Sequence, residues 1–169
     1  MSSPTPPASR QFRPRPLRRA ATEITDPGAI EKIFRDAKLL FLALADEPAP
    51  YVLPVCFGFE EGTLYVHSAK EGTKIDLIHA HPSVGFSAST DMSVIPGRAA
   101  CGFSCSAYSV AGTGTARILE EDEERVRGLD AIMRHYSDSP EKPSYVQGSL
   151  SRTCVIAVRI DSLCGKRIG

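Results

Sequence analysis

The chain has 169 residues, 42% hydrophobic and 24% charged, which is the composition of one globular domain with a sizeable core. Its 20 Lys and Arg balance 20 Asp and Glu, so no net field steers it towards nucleic acid or a membrane surface. It has no apolar run of membrane-spanning length and no hydrophobic segment of the secretory type, and a cytoplasmic protein is expected.

Residues 1–20 hold five prolines and five arginines (Arg10, Arg13, Arg15, Arg18 and Arg19) and no acid. The prolines prevent a regular helix, so this stretch is expected to be a basic arm preceding a single domain over 21–169. A solvated tail is preferred to a nucleic-acid contact, a clasp on a partner or a transit peptide. Thr25-Asp26-Pro27 then predicts a helix start, with capping oxygens followed by proline at the first turn, and Ile30, Ile33, Phe34 and Ala37 mark its buried face. Lys38 to Leu44 predicts the first strand.

Tyr51 to Phe59 is almost continuously apolar and rich in Val, Phe and Tyr, which predicts one strand buried on both faces. Glu61-Gly62 makes a turn, and Thr63 to His67 alternates, with Leu64 and Val66 facing the core and Thr63, Tyr65 and His67 opposite. Ser68 to Lys74 is a loop with two hydroxyls, two lysines and a glycine, leading into a short helix from Ile75. Lys74 at the helix entry, with Ser68 and Thr73, suits a phosphate dianion. His67 is either a hydrogen-bonded structural residue or a proton carrier, and the residues alone leave both open. His79-x-His81 has a spacing that binds metals in strands, but it falls at a helix end before Pro82, and no metal is assigned.

Val84 to Thr90 predicts a strand, Asp91 to Ala100 an irregular connection, and Cys101 to Leu119 a long strand in which Gly112 and Gly114 mark bends or close approach. Arg117 stands where a dinucleotide motif needs its third glycine, so that motif is rejected. Glu120 to Ser137 predicts a helix, acidic at its start and basic at its end, with Val126, Leu129, Ile132, Met133 and Tyr136 buried. After a loop over Asp138 to Pro143 and a helical turn over Ser144 to Leu150, Thr153 to Ile160 predicts the last strand. Five cysteines, an odd number without a CxxC pair, are expected to be reduced and mostly buried, Cys56 and Cys154 among them. Several strands joined by short turns with few helices make a mainly β barrel.

The run PYVLPVCFGFEEGTLYVHSAKEGTKIDLIHAHP resembles the flavin-binding split-barrel family of pyridoxamine-phosphate oxidase, and within it the nitroimidazole-resistance branch. Glu23 to Asp26, Ser109 to Gly112, Leu129 to Tyr136 and Leu163 to Lys166 extend the resemblance in the same order over residues 18 to 167. It implies a six-stranded Greek-key split β-barrel with peripheral α-helices, a homodimer with cofactor sites at its interface, and FMN as cofactor. The roles it carries over are few. Leu53, Pro54 and Val55 line the flavin ring, Ser68, Thr73 and Lys74 hold the phosphate, Ser109 approaches from the partner subunit, and His67 lies by the flavin as a catalytic residue. The chain departs from the branch at Cys56, where Asn is usual, and at Ala107, where an aromatic is common, with Tyr108 displaced by one. The C-terminal elements that shape the pyridoxamine-phosphate pocket are not recognisable. An FMN-dependent oxidoreductase acting on small electron-poor substrates such as nitro compounds is therefore expected. The alternative is a haem- or flavin-binding protein without its own turnover, with His67, His79 or His81 as an axial haem ligand.

Overall fold

The computed structural model of the chain describes residues 20–139, 143–150 and 152–169. The expected arm therefore lies almost wholly outside the described residues, as does part of the Asp138 to Pro143 loop. In chain order the elements are β1 (Glu23–Ile24), α1 (Pro27–Asp36), β2 (Leu40–Leu44), β3 (Tyr51–Val55), β4 (Gly58–Glu60), β5 (Thr63–Ser68), α2 (Thr73–Ala80), β6 (Ser83–Ser89), β7 (Ser93–Ile95), β8 (Ser104–Ile118), α3 (Asp122–Tyr136), α4 (Gln147–Leu150) and β9 (Cys154–Ile168).

The helix start at Asp26 forms as its residues dictate: the Asp26 carboxylate accepts from the Ala29 N–H at 2.8 Å, with Pro27 at the first position. Ile33, Phe34 and Ala37 are buried on its inner face. Glu61 and Gly62 both take positive φ, the backbone a two-residue hairpin turn needs, so β4 and β5 pair directly.

The described residues contain nine strands in an open antiparallel sheet, where a six-stranded barrel was expected. Seven run in the order β3-β2-β6-β8-β9-β5-β4, while β1 pairs with β9 and β7 with β8. The difference has two causes. Short strands form at Glu23–Ile24 and inside the connection expected to be irregular, and the apolar run from Tyr51 to Phe59 is two strands rather than one. Its halves pair with different partners, β3 with β2 and β4 with β5, at opposite edges of the sheet. Only Cys56 and Phe57 join them. A flat sheet would hold those edges roughly 29 Å apart, six steps of about 4.8 Å. Three Cα–Cα steps span at most about 11 Å, so the sheet must curl until its edges meet at Cys56–Phe57.

The curled sheet encloses the main core, where Leu40, Leu42, Phe57, Leu64, Val66, Val110, Ile156 and Val158 are fully buried beneath Phe34. Each such side chain contributes roughly 1.5–3 kcal/mol relative to exposure. Gly112 and Gly114 flank the register shift at Thr113/Gly114, as glycines at a strand bend should.

A second cluster lies on the outer face, where α3 covers β5 and β9 through Tyr65, Leu119, Ala131, Ile132, Val155 and Ala157. This corrects two expectations. Tyr65 is only 8% exposed, so the outer face of β5 is covered rather than free as far as that residue. The buried stripe of α3 is Gly128, Ala131 and Ile132, while Met133 and Tyr136 are 40% and 43% exposed. The helix is turned that way because Gly128 lets it approach the Tyr65 ring, and because the Tyr136 hydroxyl is needed elsewhere. It donates to the Lys38 carbonyl at 2.8 Å and accepts from the Phe57 N–H at 3.2 Å, while His135 Nε2 donates to the Ala37 carbonyl at 2.8 Å. The end of α3 thus pins the corner where the sheet edges meet. Because α3 covers its outer face, β9 is buried on both sides from Cys154 to Val158, and it runs on to Ile168, beyond the expected end at Ile160. Of the five cysteines, all free, only Cys154 is buried; Cys56 and Cys101 are exposed because the corner and the β7–β8 connection face outwards.

Candidate functional site

Backbone pairing between β4 and β5 stops at Gly58↔Tyr65. Beyond that point β5 has lost its neighbour on one side, and its last residues, His67 and Ser68, sit where the curled sheet splits. Strand alternation sends them in opposite directions. His67 shares the outer face with Tyr65 but lies exposed, and its side chain has no hydrogen-bond partner among the described residues. Ser68 follows Leu64 and Val66 inwards, half-buried, with Cys154 of β9 as its backbone partner.

The chain then makes the loop to α2. Gly72 takes φ of 116°, a backbone that side chains resist, and so turns the loop straight into the helix. No side chain caps α2. The Gly72 carbonyl accepts from the Ile75 and Asp76 N–H groups at 2.8 and 3.2 Å, which leaves the Thr73 and Lys74 N–H groups pointing out of the helix end. Lys74 is half-buried with no carboxylate partner among the described residues, and burial pulls its ammonium below the usual lysine range. Lys70 is exposed and equally unpaired. Both lysines, with Arg125 of α3, act on the Cys154 thiol, whose own pKa burial pushes up. Lys70, Lys74 and Arg125 are thus gathered around Cys154, with Ser68 paired to it on β5 and Thr73 at the entry of α2, a basic cluster that forms a candidate cradle beside the free backbone donors.

Three of these residues were not singled out from the sequence. Lys70 stands in the loop in plain view. Arg125 and Cys154 carry no local signal, because only the β5–β9 pairing and the packing of α3 bring them here. Arg125 is also tied down, donating to the Leu150 and Thr153 carbonyls at 3.3 and 3.4 Å and pairing with Asp122, so it is a fixed part of the wall.

The strand expected to line a flavin is an edge strand, which corrects its expected burial on both faces. Val55 is buried and Leu53 packs on the core, whereas Pro54 and Val52 face outwards, Val52 being 57% exposed. Among the described residues β3 pairs only with β2, which leaves its other backbone edge available for hydrogen bonds. Proline is tolerated there for the same reason. Its last residue is three steps from Gly58, which brings Leu53–Val55 and His67–Ser68 to the same split. Ser109 is not brought there. It lies on β8 between Ser89 and Lys166, its Oγ donating to the Lys166 carbonyl at 3.4 Å, three strand steps or roughly 14 Å along the sheet from β3. Two open grooves, of about 460 and 600 Å³, lie elsewhere: one beside Glu60 and Arg134, the other between α1 and the base of β7 and β8. Neither includes a residue of the cradle, which is a surface feature of the single chain.

The family model for pyridoxamine 5'-phosphate oxidase matches residues 26–167, a span that takes in the curled sheet, the split and the cradle. The chain belongs to the pyridoxamine 5'-phosphate oxidase family. A candidate 5-nitroimidazole antibiotic resistance protein from Bacteroides thetaiotaomicron is 32% identical, with 87% of each chain covered and a TM-score of 0.77, in agreement with the branch expected from the sequence. The flavocytochrome Anf3 of Azotobacter vinelandii is 18% identical over 89% of this chain and 71% of that one, with a TM-score of 0.75. An FAD and haem binding protein from Mycobacterium smegmatis is 18% identical over 87% and 73%, with a TM-score of 0.76. These last two share the fold of this pyridoxamine 5'-phosphate oxidase family member. No curated protein matches the chain. No helix among the described residues is long and apolar enough to cross a membrane.

Proposed function

We propose that this family member is a homodimeric FMN-binding flavoprotein, an oxidoreductase acting on small electron-poor substrates such as nitro compounds. The observation that carries the proposal is the cradle: a half-buried lysine without a counter-ion among the described residues, at an uncapped helix end. Burial costs an unpaired ammonium solvation, and a phosphate dianion would offset that cost with charge-assisted hydrogen bonds. The residues fit the cofactor. Lys74, Ser68, Thr73 and the free N–H groups of α2 would hold the phosphate, with Lys70 at the rim. Leu53 to Val55 offers a free backbone edge for hydrogen bonds to the polar side of the ring. Ser109 is too far away in its own chain, so it would serve the site of a second copy, and the dimer completes both sites.

Bound FMN supplies hydride or electron transfer. Its protein surroundings do the rest. His67, exposed at the split and free of competing partners, would hold or pass a proton beside the ring. The β2–β3 wall would exclude water beside the ring and leave room for the substrate. The relative at 32% identity, a candidate nitroimidazole resistance protein, supports the substrate class. The visible spectrum of freshly purified protein tests the proposal. Flavin bands, with FMN released on denaturation, are expected. A haem Soret band would instead favour a haem carrier, and a colourless protein that cannot be reconstituted with FMN would overturn the proposal.

A further inference from the structure

The groove of about 460 Å³ beside Glu60 and Arg134 takes no part in the flavin reading, yet it has the size of a small-molecule site. Arg35 of α1 lines one wall and Arg134 of α3 the other, with Phe59 of β4 between them. We propose that this groove binds a small planar aromatic carboxylate, at a site separate from the flavin.

The aromatic part of the ligand follows from the rings already there. Phe59 is half-buried, and its ring stacks on the buried Phe34 with centroids 4.5 Å and planes 19° apart. That stack covers one face of Phe59 and leaves the rest of the ring to line the groove. Ala131 lines it with a single methyl, which keeps space for a flat guest. His135 adds a further ring, held in place by its Nε2 bond to the Ala37 carbonyl and by Phe57 at 4.5 Å. A planar aromatic guest packs favourably on such surfaces, stacked or tilted. The carboxylate follows from which groups remain unused. With Arg127 behind Glu60, three arginines balance Glu31, Glu60 and Glu61, so net charge selects no ion; unused hydrogen-bonding capacity does. Glu60 accepts from Arg127 and Arg134, and Glu61 from Arg127, all at 2.7 Å. Arg134 gives Nη2 to Glu60 and Nε to the Asp130 carbonyl at 3.3 Å, which leaves Nη1. Arg35 has no carboxylate partner among the described residues, so its whole planar fork is available. Guanidinium groups on two facing helices suit the two oxygens of a carboxylate. A phosphate dianion would meet the same arginines but twice the repulsion from Glu31, which is exposed and unpaired one turn before Arg35, so the monoanion is favoured. A guest held between α1 and α3 would also brace the two helices that cover the curled sheet.

The test uses the full chain, with benzoate as the probe and benzamide, of similar shape but uncharged, as its control. Calorimetric titration should give one benzoate per chain with a dissociation constant on the order of 0.1–1 mM, and benzamide at least about tenfold weaker. Benzoate at about ten times that constant should raise the melting temperature by roughly 3–5 °C over the same concentration of sodium chloride. Arg35→Gln should weaken benzoate about tenfold and leave the melting temperature of the ligand-free chain unchanged, because no described residue pairs with Arg35. Nuclear Overhauser contacts should join the benzoate ring protons to the Phe59 ring and the Ala131 methyl. Lys74→Ala separates this site from the phosphate cradle: benzoate should bind the variant as it binds the parent, with or without FMN present. No binding below 10 mM (about ten times the weakest expected constant), equal affinity for benzamide, or full affinity in Arg35→Gln would overturn the proposal. So would a loss of benzoate in Lys74→Ala, which would place the anion in the cradle. If Arg35→Gln fails to fold, the contacts seen in the parent decide. A colourless protein that still shows these contacts keeps the groove and sinks the flavin, whereas a yellow protein without them sinks only the groove.

Discussion

Lys74 and His67 sit within a few residues of each other and neither side chain has a hydrogen-bond or ion-pair partner among the described residues, yet the chemistry proposed for them differs, and so do the outcomes of removing them. Lys74→Ala should remove a charge-assisted hydrogen bond of roughly 1.5–3 kcal/mol and weaken FMN about 10- to 100-fold, while riboflavin, which has no phosphate, binds almost as before. Equal losses for the two ligands in a fluorescence titration would refute the phosphate role. His67→Ala should leave the melting temperature within the small range of surface substitutions, because no described residue holds the imidazole. It should slow reoxidation of the bound reduced flavin by a nitroaromatic about tenfold or more. A large loss of stability with an unchanged rate per flavin would make His67 a structural residue. Glu60 is a purely structural case. Arg127 and Arg134 hold its carboxyl below the usual range, both donating at 2.7 Å. A depressed folded pKa means stability that is fully present above the unfolded value, about 4.3, and is lost as pH falls through the folded one. Both arginines are more than half exposed, so screening limits the effect to about 1 kcal/mol. Glu60→Gln should therefore lose about that much at pH 7, and thermal unfolding of variant and parent should converge in acid.

Helix α3 is the element that locks the curled sheet, and two glycines set how closely it can sit. A Cβ on Gly58 would lie 2.4 Å from the Ala131 carbonyl carbon, so the whole helix would have to move. A Cβ on Gly128 would lie 2.8 Å from the Tyr65 ring and from a Val155 methyl, side chains that can shift slightly. Overpacking of this kind costs about 1–3 kcal/mol, more when backbone must give. Alanine within a helix gains up to about 1 kcal/mol over glycine, which offsets part of the cost at Gly128 but none at Gly58 in its strand. Chemical denaturation should accordingly rank Gly58→Ala, at about 3 kcal/mol or more, well below Gly128→Ala, at about 1 kcal/mol. The reverse order would mean that α3 is not seated on β4 as described.

At the scale of the whole molecule, the proposed phosphate cradle and β3 wall lie apart from Ser109 in a single chain, so on the proposed reading a monomer would hold half of two sites rather than one complete site. Titration should give one FMN per chain and two per particle. In the proposed dimer, charging the exposed β7–β8 hairpin with Val94→Glu/Ile95→Glu, outside the cradle, should weaken FMN if the hairpin contributes to dimerisation, with a concentration dependence that follows dissociation. A stable monomer with tightly bound flavin would sink the shared-site arrangement.

The local order of the chain was decided by neighbours in sequence. Asp26-Pro27 starts α1 because a carboxylate three residues from a free N–H can cap it, and Glu61-Gly62 turns because glycine accepts positive φ. The loop from Ser68 to Lys74 is legible as a candidate anion site from its hydroxyls, lysines and glycine alone. Patterning also placed Leu64 and Val66 in the core, and the resemblance supplied the family. What sequence could not reveal was which strand pairs with which. The apolar run from Tyr51 to Phe59 looks like one buried strand, since hydrophobicity records burial in the finished particle and not the partner that provides it. Long-range pairing broke that run at Cys56 and sent its halves to opposite edges. The same pairing set Cys154 opposite Ser68, the seating of α3 brought Arg125 close to Cys154, and packing around Gly128 turned α3 away from Met133 and Tyr136. Each of these contacts joins residues dozens of positions apart, whose meeting depends on the curl of the entire sheet, and only the tertiary structure decides that.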